Sequence, residues 1–183
     1  AGDDYAQNWV GWMYKNAEGV ERNYMESYKW NMKSAESGNA YAMNSLGILF
    51  ENGQGVEVNL PKAVEWYRKA ANAGNVHGQY NLGRMYENGR GGTKNIILAK
   101  QWYEKAAAQN DGDAQSRLGD IYYNGDGITK DYTKAREWYL KAAGQGNMYG
   151  EFGIGLLYEF GCGLTKNIDK AAEWYRRAAN RGM

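Results

Sequence analysis

Five tryptophans, Trp30, Trp66, Trp102, Trp138 and Trp174, recur every 36 residues with no insertion between them. Gly11, Gly47, Gly83, Gly119 and Gly155 keep the same interval, and Leu46, Leu82, Leu118 and Ile154 sit one residue earlier in their repeats. Self-similarity at a fixed period means stacked supersecondary units, none of which can bury its apolar face alone. A residue type that returns at one repeat position is therefore a single feature of the repeat, not five separate motifs.

One period reads as two helices. Asp3, Asn39, Asn75, Asp111 and Asn147 share a position, and each can cap a helix by accepting from its unpaired first-turn N–H groups. The first helix of each repeat, helix A, then runs about 13 residues to Asn52-Gly53, Asn88-Gly89 or Asn124-Gly125, where glycine can adopt the left-handed closing conformation. A short Gly-x-Gly loop follows. Helix B opens after Asn23, Asn59, Asn95, Asp131 and Asn167, with Pro61 in a first turn where no donor is wasted. Lys33, Lys69, Lys105, Lys141 and Arg177 lie near its negative end. Gly38, Gly74, Gly146 and Gly182 close it, Asn110 substituting in the third repeat. Caps, period and closing residues agree throughout.

The boundaries that follow are 3–38, 39–74, 75–110, 111–146 and 147–182, five repeats in one domain of about ten helices. A lone helix of this length is marginal in water, so stacking must supply the core. Leu46, Leu49 and Phe50, with Leu82, Met85 and Tyr86 or Leu118, Ile121 and Tyr122 in later repeats, share one face of helix A. Gly47 and its series, with the Ala70-Ala71 type of pair on helix B, let helices approach closely. Trp66-Tyr67, Trp102-Tyr103, Trp138-Tyr139 and Trp174-Tyr175 have the chemistry of an aromatic cage, but their recurrence reads as core. On that reading Trp102→Ala costs about 3–5 kcal/mol.

The run Leu118-Gly119, Tyr122, Gly125-x-Gly127-Ile128, Asp131, Lys134-Ala135, Trp138-Tyr139 and Lys141-Ala142-Ala143, closed by Gly146, resembles the Sel-one-like repeat family, 36-residue relatives of the tetratricopeptide repeat. The first repeat departs most, with Ala17 for glycine, Ser27 for alanine and Asn31 for tyrosine, as suits a terminal repeat with one face in solvent. In the third repeat Gly92 stands where Val56, Ile128 and Leu164 sit. The resemblance implies an all-α, right-handed α-solenoid superhelix with the A helices on its concave side. It also implies a scaffold or adaptor role. Bacterial proteins built only of these repeats also resemble the immunity proteins encoded beside secreted antibacterial lipases and related toxins.

If recurrent positions are core, function belongs to positions that vary yet share a face. Helix A has such a stripe at spacings of three or four residues. It reads Tyr5, Trp9 and Trp12; Tyr41, Asn44 and Ile48; His77, Tyr80 and Arg84; Asp113, Arg117, Asp120 and Tyr123; Tyr149, Phe152 and Leu156. Aromatics and arginine dominate binding hot spots because they give large contact areas at low entropic cost. The competing reading is that the terminal aromatics, Trp9, Trp12 and Phe160 above all, cover the ends of the stack. Replacing Tyr80, Arg84, Arg117 or Tyr123 is expected to weaken partner binding without lowering stability.

Other chemistries find little support. His77 is the only histidine and Cys162 the only cysteine, so neither a multi-histidine metal site nor an internal disulfide can be built. Cys162 occupies the variable middle of the Gly-x-Gly loop, shared with Glu18, Gln54, Arg90 and Asp126, and the two cysteines per repeat of the family's cysteine-rich branch are missing. Gly89-Arg90-Gly91-Gly92-Thr93-Lys94 mimics a phosphate loop but follows a helix rather than a strand. Glu65, Glu137 and Glu173 stand four residues before Lys69, Lys141 and Arg177, the spacing of ordinary surface pairs.

With 22 basic and 21 acidic residues the net charge is +1, which leaves no broad footprint for nucleic acid or an anionic membrane. No apolar run is long enough to span a bilayer. The expectation is a non-catalytic, cofactor-free protein, monomeric on its own, that holds a protein partner such as a toxin or effector enzyme on its concave face. The alternative is an envelope adaptor or a glycan- or peptidoglycan-binding module using the same aromatics. The Ala-Gly-Asp-Asp start would suit a cleaved leader, hence a periplasmic or secreted location, with cytoplasmic as the alternative.

Overall fold

In the computed structural model helices begin at the capping residues read from the sequence. Residues 3–182 are described, and the Ala1-Gly2 start lies outside them. Ten 13-residue helices, and no strand, occur among the described residues. The A helices are α1 (Asp4–Asn16), α3 (Ala40–Asn52), α5 (Val76–Asn88), α7 (Gly112–Asn124) and α9 (Met148–Phe160). The B helices are α2 (Tyr24–Glu36), α4 (Leu60–Asn72), α6 (Ile96–Ala108), α8 (Tyr132–Gly144) and α10 (Ile168–Asn180).

The side chains of Asp3, Asn39, Asn75, Asp111 and Asn147 accept first-turn N–H groups of the A helices. Asn23, Asn59, Asp131 and Asn167 do so for α2, α4, α8 and α10. Gly53, Gly89, Gly125 and Gly161 close α3, α5, α7 and α9 in the left-handed region, with φ between 65 and 72°. Two residues adopt that conformation with a side chain, Ala17 at φ 63° and Asn110 at φ 69°. These are the two positions where the sequence departs from glycine.

The chain forms two compact units, one reaching to Asn95 and one starting at Ile96. In the first, α1 to α5 pack each on the next, and α3 also touches both α1 and α5. Its core gathers Ala35, Ala42, Leu46 and Leu49, with Tyr28, Met32 and Trp66 packed against them. In the second, α6 to α10 pack in the same succession and α7 touches α9. Ala135, Tyr139, Ala143, Ile154 and Leu157 form its core, flanked by Tyr122, Tyr158 and Trp174. Together these features make the chain an α-solenoid of helix-turn-helix repeats.

The recurrent glycine of helix A sets the distance between the two helices of a repeat. A Cβ on Gly47 would lie 2.5 Å from the Tyr67 ring, far inside van der Waals contact. Gly119 and Gly155 face Tyr139 and Tyr175 in the same way, and Gly11 faces Asn31, which takes the tyrosine's place in the first repeat.

The tryptophans do not occupy the core that their period suggested. Tyr67, Tyr103 and Tyr139, one residue later, are wholly buried. Trp30, Trp66, Trp102, Trp138 and Trp174 are half-buried at the rim. Each ring lies under a cation one turn on: Lys33 at 5.5 Å, Lys69 at 4.2 Å, Lys105 at 4.0 Å, Lys141 at 4.1 Å and Arg177 at 4.2 Å. One helical residue turns the side chain by about 100°, so a tyrosine aimed into the junction leaves its neighbour at the edge. The basic residues near the ends of helix B thus cover aromatic faces as well as facing the helix dipole.

Candidate functional site

In the first unit the exposed stripe is richest on α1. Tyr5 and Trp9 are 65% and 60% exposed, and Trp9 stacks on Trp12 with centroids 4.8 Å apart. Spacings of four and three residues along a 13-residue helix put all three on one side. Tyr41 begins the matching line on α3 at 51% exposure. Next along α3, Asn44 is buried and accepts from Asn81 of α5 at 2.9 Å, and Ile48 is half-buried. On α5, His77 is exposed, whereas Tyr80 and Arg84 are half-buried.

Arg84 is not only a surface residue. Its guanidinium lies 2.6 Å from Glu51, a buried carboxylate near the end of α3. Arg90, from the Gly-x-Gly loop after α5, reaches the other oxygen at 2.6 Å, and the Tyr67 hydroxyl donates at 2.7 Å. Replacing Arg84 therefore disturbs a buried charge, and the expectation of unchanged stability does not hold for that residue. Neither Glu51 nor Arg90 belongs to the helix A stripe, and Arg90 stands at the variable centre of a Gly-x-Gly loop.

In the second unit Arg117 and Asp120 of α7 pair at 3.5 Å, and Asp120 accepts from the Tyr139 hydroxyl at 2.8 Å. Tyr123 packs edge-on to Tyr132 at 5.6 Å and beside the Cys162 thiol; burial, with Cys162 and Tyr132 next to it, raises its phenol pKa. On α9 Tyr149 is 45% exposed, Phe152 is exposed with its ring 5.1 Å from that of Tyr175, and Leu156 is half-buried. Phe160, at the end of α9, is exposed.

The tyrosine partners follow a rule visible across both units. Tyr67 and Tyr175 donate to Glu51 and Glu159, which share the last-turn position of helix A. In the fourth repeat Tyr123 fills that position, and Asp120 one turn earlier accepts from Tyr139 instead. The loop centre of the next repeat closes on the same spot, as Arg90 on Glu51 and Cys162 beside Tyr123. A further buried carboxylate, Glu151 of α9, is held by Arg177 and Arg181 at 3.2 Å each.

No group of three His, Cys, Asp or Glu side chains converges among the described residues, and none of their helices is long and apolar enough to cross a membrane.

A profile of the Sel1 repeat matches residues 4–39, 40–75, 76–111, 112–147 and 149–183, one to two residues later than the boundaries read from the glycines. The chain belongs to the Sel1 repeat family. Sel1 repeats generally act as protein-interaction scaffolds and are generally non-catalytic. Among solved structures, the chain is similar to c5321, a protective antigen present in uropathogenic Escherichia coli strains, at 38% identity and TM-score 0.91. The match covers 100% of this chain and 39% of that one. A Sel1 repeat protein from Oxalobacter formigenes is 34% identical with TM-score 0.94, the match covering 98% of this chain and 72% of that one. The immunity protein PA5088 from Pseudomonas aeruginosa shares the fold at 23% identity and TM-score 0.62, over 97% of this chain and 66% of that one. No curated protein matches the chain in sequence.

Proposed function

We propose that the chain binds a protein partner through the non-recurring, exposed side chains of its A helices. The observation that carries this reading is the clustering of exposed aromatics on that helix type. Tyr5, Trp9, Trp12 and Tyr41 crowd it in the first unit, Tyr149 and Phe152 in the second. Rings held on rigid helices lose little entropy on binding and bury a large area each, which is how hot spots are built. Around them His77, Tyr80, Arg84, Arg117, Asp120, Tyr123, Ile48 and Leu156 supply polar and apolar rim contacts.

The narrower reading is an inhibitor that occludes a toxin or effector enzyme. Two residues favour it: Tyr5 and Tyr41 sit at one position of helix A in neighbouring repeats of the first unit, so an extended folded surface would engage them more fully than a single small ligand. The stacked Trp9–Trp12 pair favours the second reading, a glycan platform, since parallel indoles offer a flat face to a sugar ring.

Affinity purification with Tyr41→Asp and Tyr149→Asp beside the unaltered chain tests the proposal. A stoichiometric protein retained by the unaltered chain and lost from both variants supports it. Retention unaffected by either substitution overturns it, and binding of purified peptidoglycan by the isolated chain would move the assignment to the glycan reading.

A further inference from the structure

Beside the loop that joins α7 to α8 lies a shallow cavity of about 340 Å³, with Lys100, Tyr122, Thr129, Lys130, Asp131 and Lys134 in its wall. All of it belongs to the second unit. Lys100 comes from α6, Tyr122 from α7 and Lys134 from the first turn of α8, while Thr129, Lys130 and Asp131 come from the loop.

Two ammonium groups converge on one ring there. The Nζ of Lys100 lies 5.6 Å from the centroid of Tyr122, and that of Lys134 lies 5.4 Å from it. Lys130 brings a third charge. Against these stand two carboxylates: Glu104 holds Lys100 at 2.6 Å, and Asp131, whose side chain also caps α8, reaches Lys134 at 3.4 Å. One positive charge is in excess, and the first turn of α8 adds the positive end of a helix dipole. Lys100 is the most confined of the three, its side chain only 21% exposed.

The corresponding cavity of the second repeat, about 370 Å³, shows what is particular to this one. Lys62 lies 5.4 Å over Phe50 there, so the contact of Lys134 with Tyr122 is a feature of the repeat. Other positions differ, and all in one direction. Tyr28, packed edge-on to Phe50 at 5.9 Å, stands where the fourth repeat has Lys100, and Val58 stands where it has Lys130. Phe50 and Glu57 correspond to Tyr122 and Thr129. Two apolar side chains have given way to cations, a plain ring to a phenol, and a carboxylate to a hydroxyl. A largely apolar cup has become one of cations and hydroxyl donors, of a size at the lower end for small-molecule sites.

We infer that this cavity binds a small ligand through a phosphate monoester. The doubly charged group offsets the crowding of Lys100, Lys130 and Lys134, and the Thr129 and Tyr122 hydroxyls donate to its remaining oxygens. Lysine meets phosphate as a point charge, whereas a planar carboxylate is better matched by the arginine fork. The site uses none of the residues of the proposed partner surface and does not depend on it.

Amide chemical shifts of the intact chain, titrated at low salt with glycerophosphate and with glycerate, test the inference. Glycerophosphate should move the resonances around Tyr122 and Lys130 with a Kd of about 1 mM. Glycerate should bind at least about tenfold more weakly, and Lys100→Gln and Lys130→Gln should each weaken glycerophosphate about tenfold. Lys62→Gln, in the cavity of the second repeat, should leave it unchanged. Lys130 and Lys62 are exposed, so their replacement leaves the fold intact, and circular dichroism checks all three variants. Phosphatidylcholine vesicles containing phosphatidate separate two sources of the same group: co-sedimentation that Lys130→Gln abolishes assigns a lipid headgroup, and glycerophosphate binding without co-sedimentation assigns a soluble ligand. No shift at the highest glycerophosphate concentration, equal binding of glycerate, or affinity unchanged by both lysine substitutions each overturns the inference.

Discussion

Tyr67 donates its phenolic hydrogen to Glu51 across 2.7 Å, joining helices α4 and α3 at a point that Arg84 and Arg90 also reach. Burial works to raise the Glu51 pKa, but hydrogen bonds from Arg84 and Tyr67 and the charges of Arg84 and Arg90 outweigh it, leaving the carboxyl below its ordinary value. For Tyr67, burial and then the adjacent carboxylate raise the phenol pKa, so it stays a donor at physiological pH.

A depressed carboxylate pKa stabilises the fold at pH values above that of the unfolded chain, about 4.3 for glutamate, and the contribution is lost as pH falls through the folded value. Glu51→Gln should therefore lower stability at pH 7 by about 2 kcal/mol, less than for a fully buried pair because both arginines reach solvent. Urea denaturation of both proteins at pH 7 and pH 3 checks this. The gap should narrow at pH 3, and an equal gap at both values would rule out the ionised group as its source.

Gly47→Ala should cost about 1–3 kcal/mol, since the new methyl group must displace the Tyr67 ring from a packed junction. Thermal unfolding followed by circular dichroism would show it. An unchanged midpoint would mean that the glycine does not set the spacing of α3 and α4.

Tyr139→Ala and Trp138→Ala separate core from rim. The buried tyrosine should cost about 4 kcal/mol, as for other buried aromatics. The half-buried tryptophan, with Lys141 over its ring, should cost about 2 kcal/mol. Chemical denaturation of the two variants ranks them, and the reverse order would restore the tryptophans to the core.

Ala17→Gly should stabilise the chain by about 1 kcal/mol, because alanine in the left-handed region carries a steric penalty that glycine lacks. A raised denaturation midpoint is the expected result, and a lowered one would show that the turn tolerates alanine without strain.

The period, the caps and the turns were legible because each is local: Asn39, Asn59 and Gly53 act on backbone within four residues of themselves. Asn110 at φ 69° shows how far this reaches, since the one exception to the glycines that close helix B adopts the conformation its substitution implied. The Trp-Tyr pair was harder. Both residues recur with equal regularity, and only packing shows that Tyr139 turns inward while Trp138 stays at the rim under Lys141. The Glu51 cluster was hidden for a different reason, since its members come from three helices and a loop, up to 39 residues apart, and the charges vary between repeats. A signal did exist, in the acid that recurs as Glu51, Glu87 and Glu159 and shifts to Asp120 where Tyr123 intervenes. The exposure of Tyr41 and Tyr149 could be argued from their variable surroundings, whereas the buried place of Asn44 could not.

Photo-cross-linking in cells is the most direct measurement of where a partner sits. A benzophenone side chain would be placed at Tyr41, at His77 and at Tyr149 on the A helices, and at Glu65 and Glu137 on the B helices as controls, with mass spectrometry to identify what is captured. One protein captured from the three A-helix positions and from neither control is the predicted result. Capture from the B-helix controls with none from the A helices would contradict it.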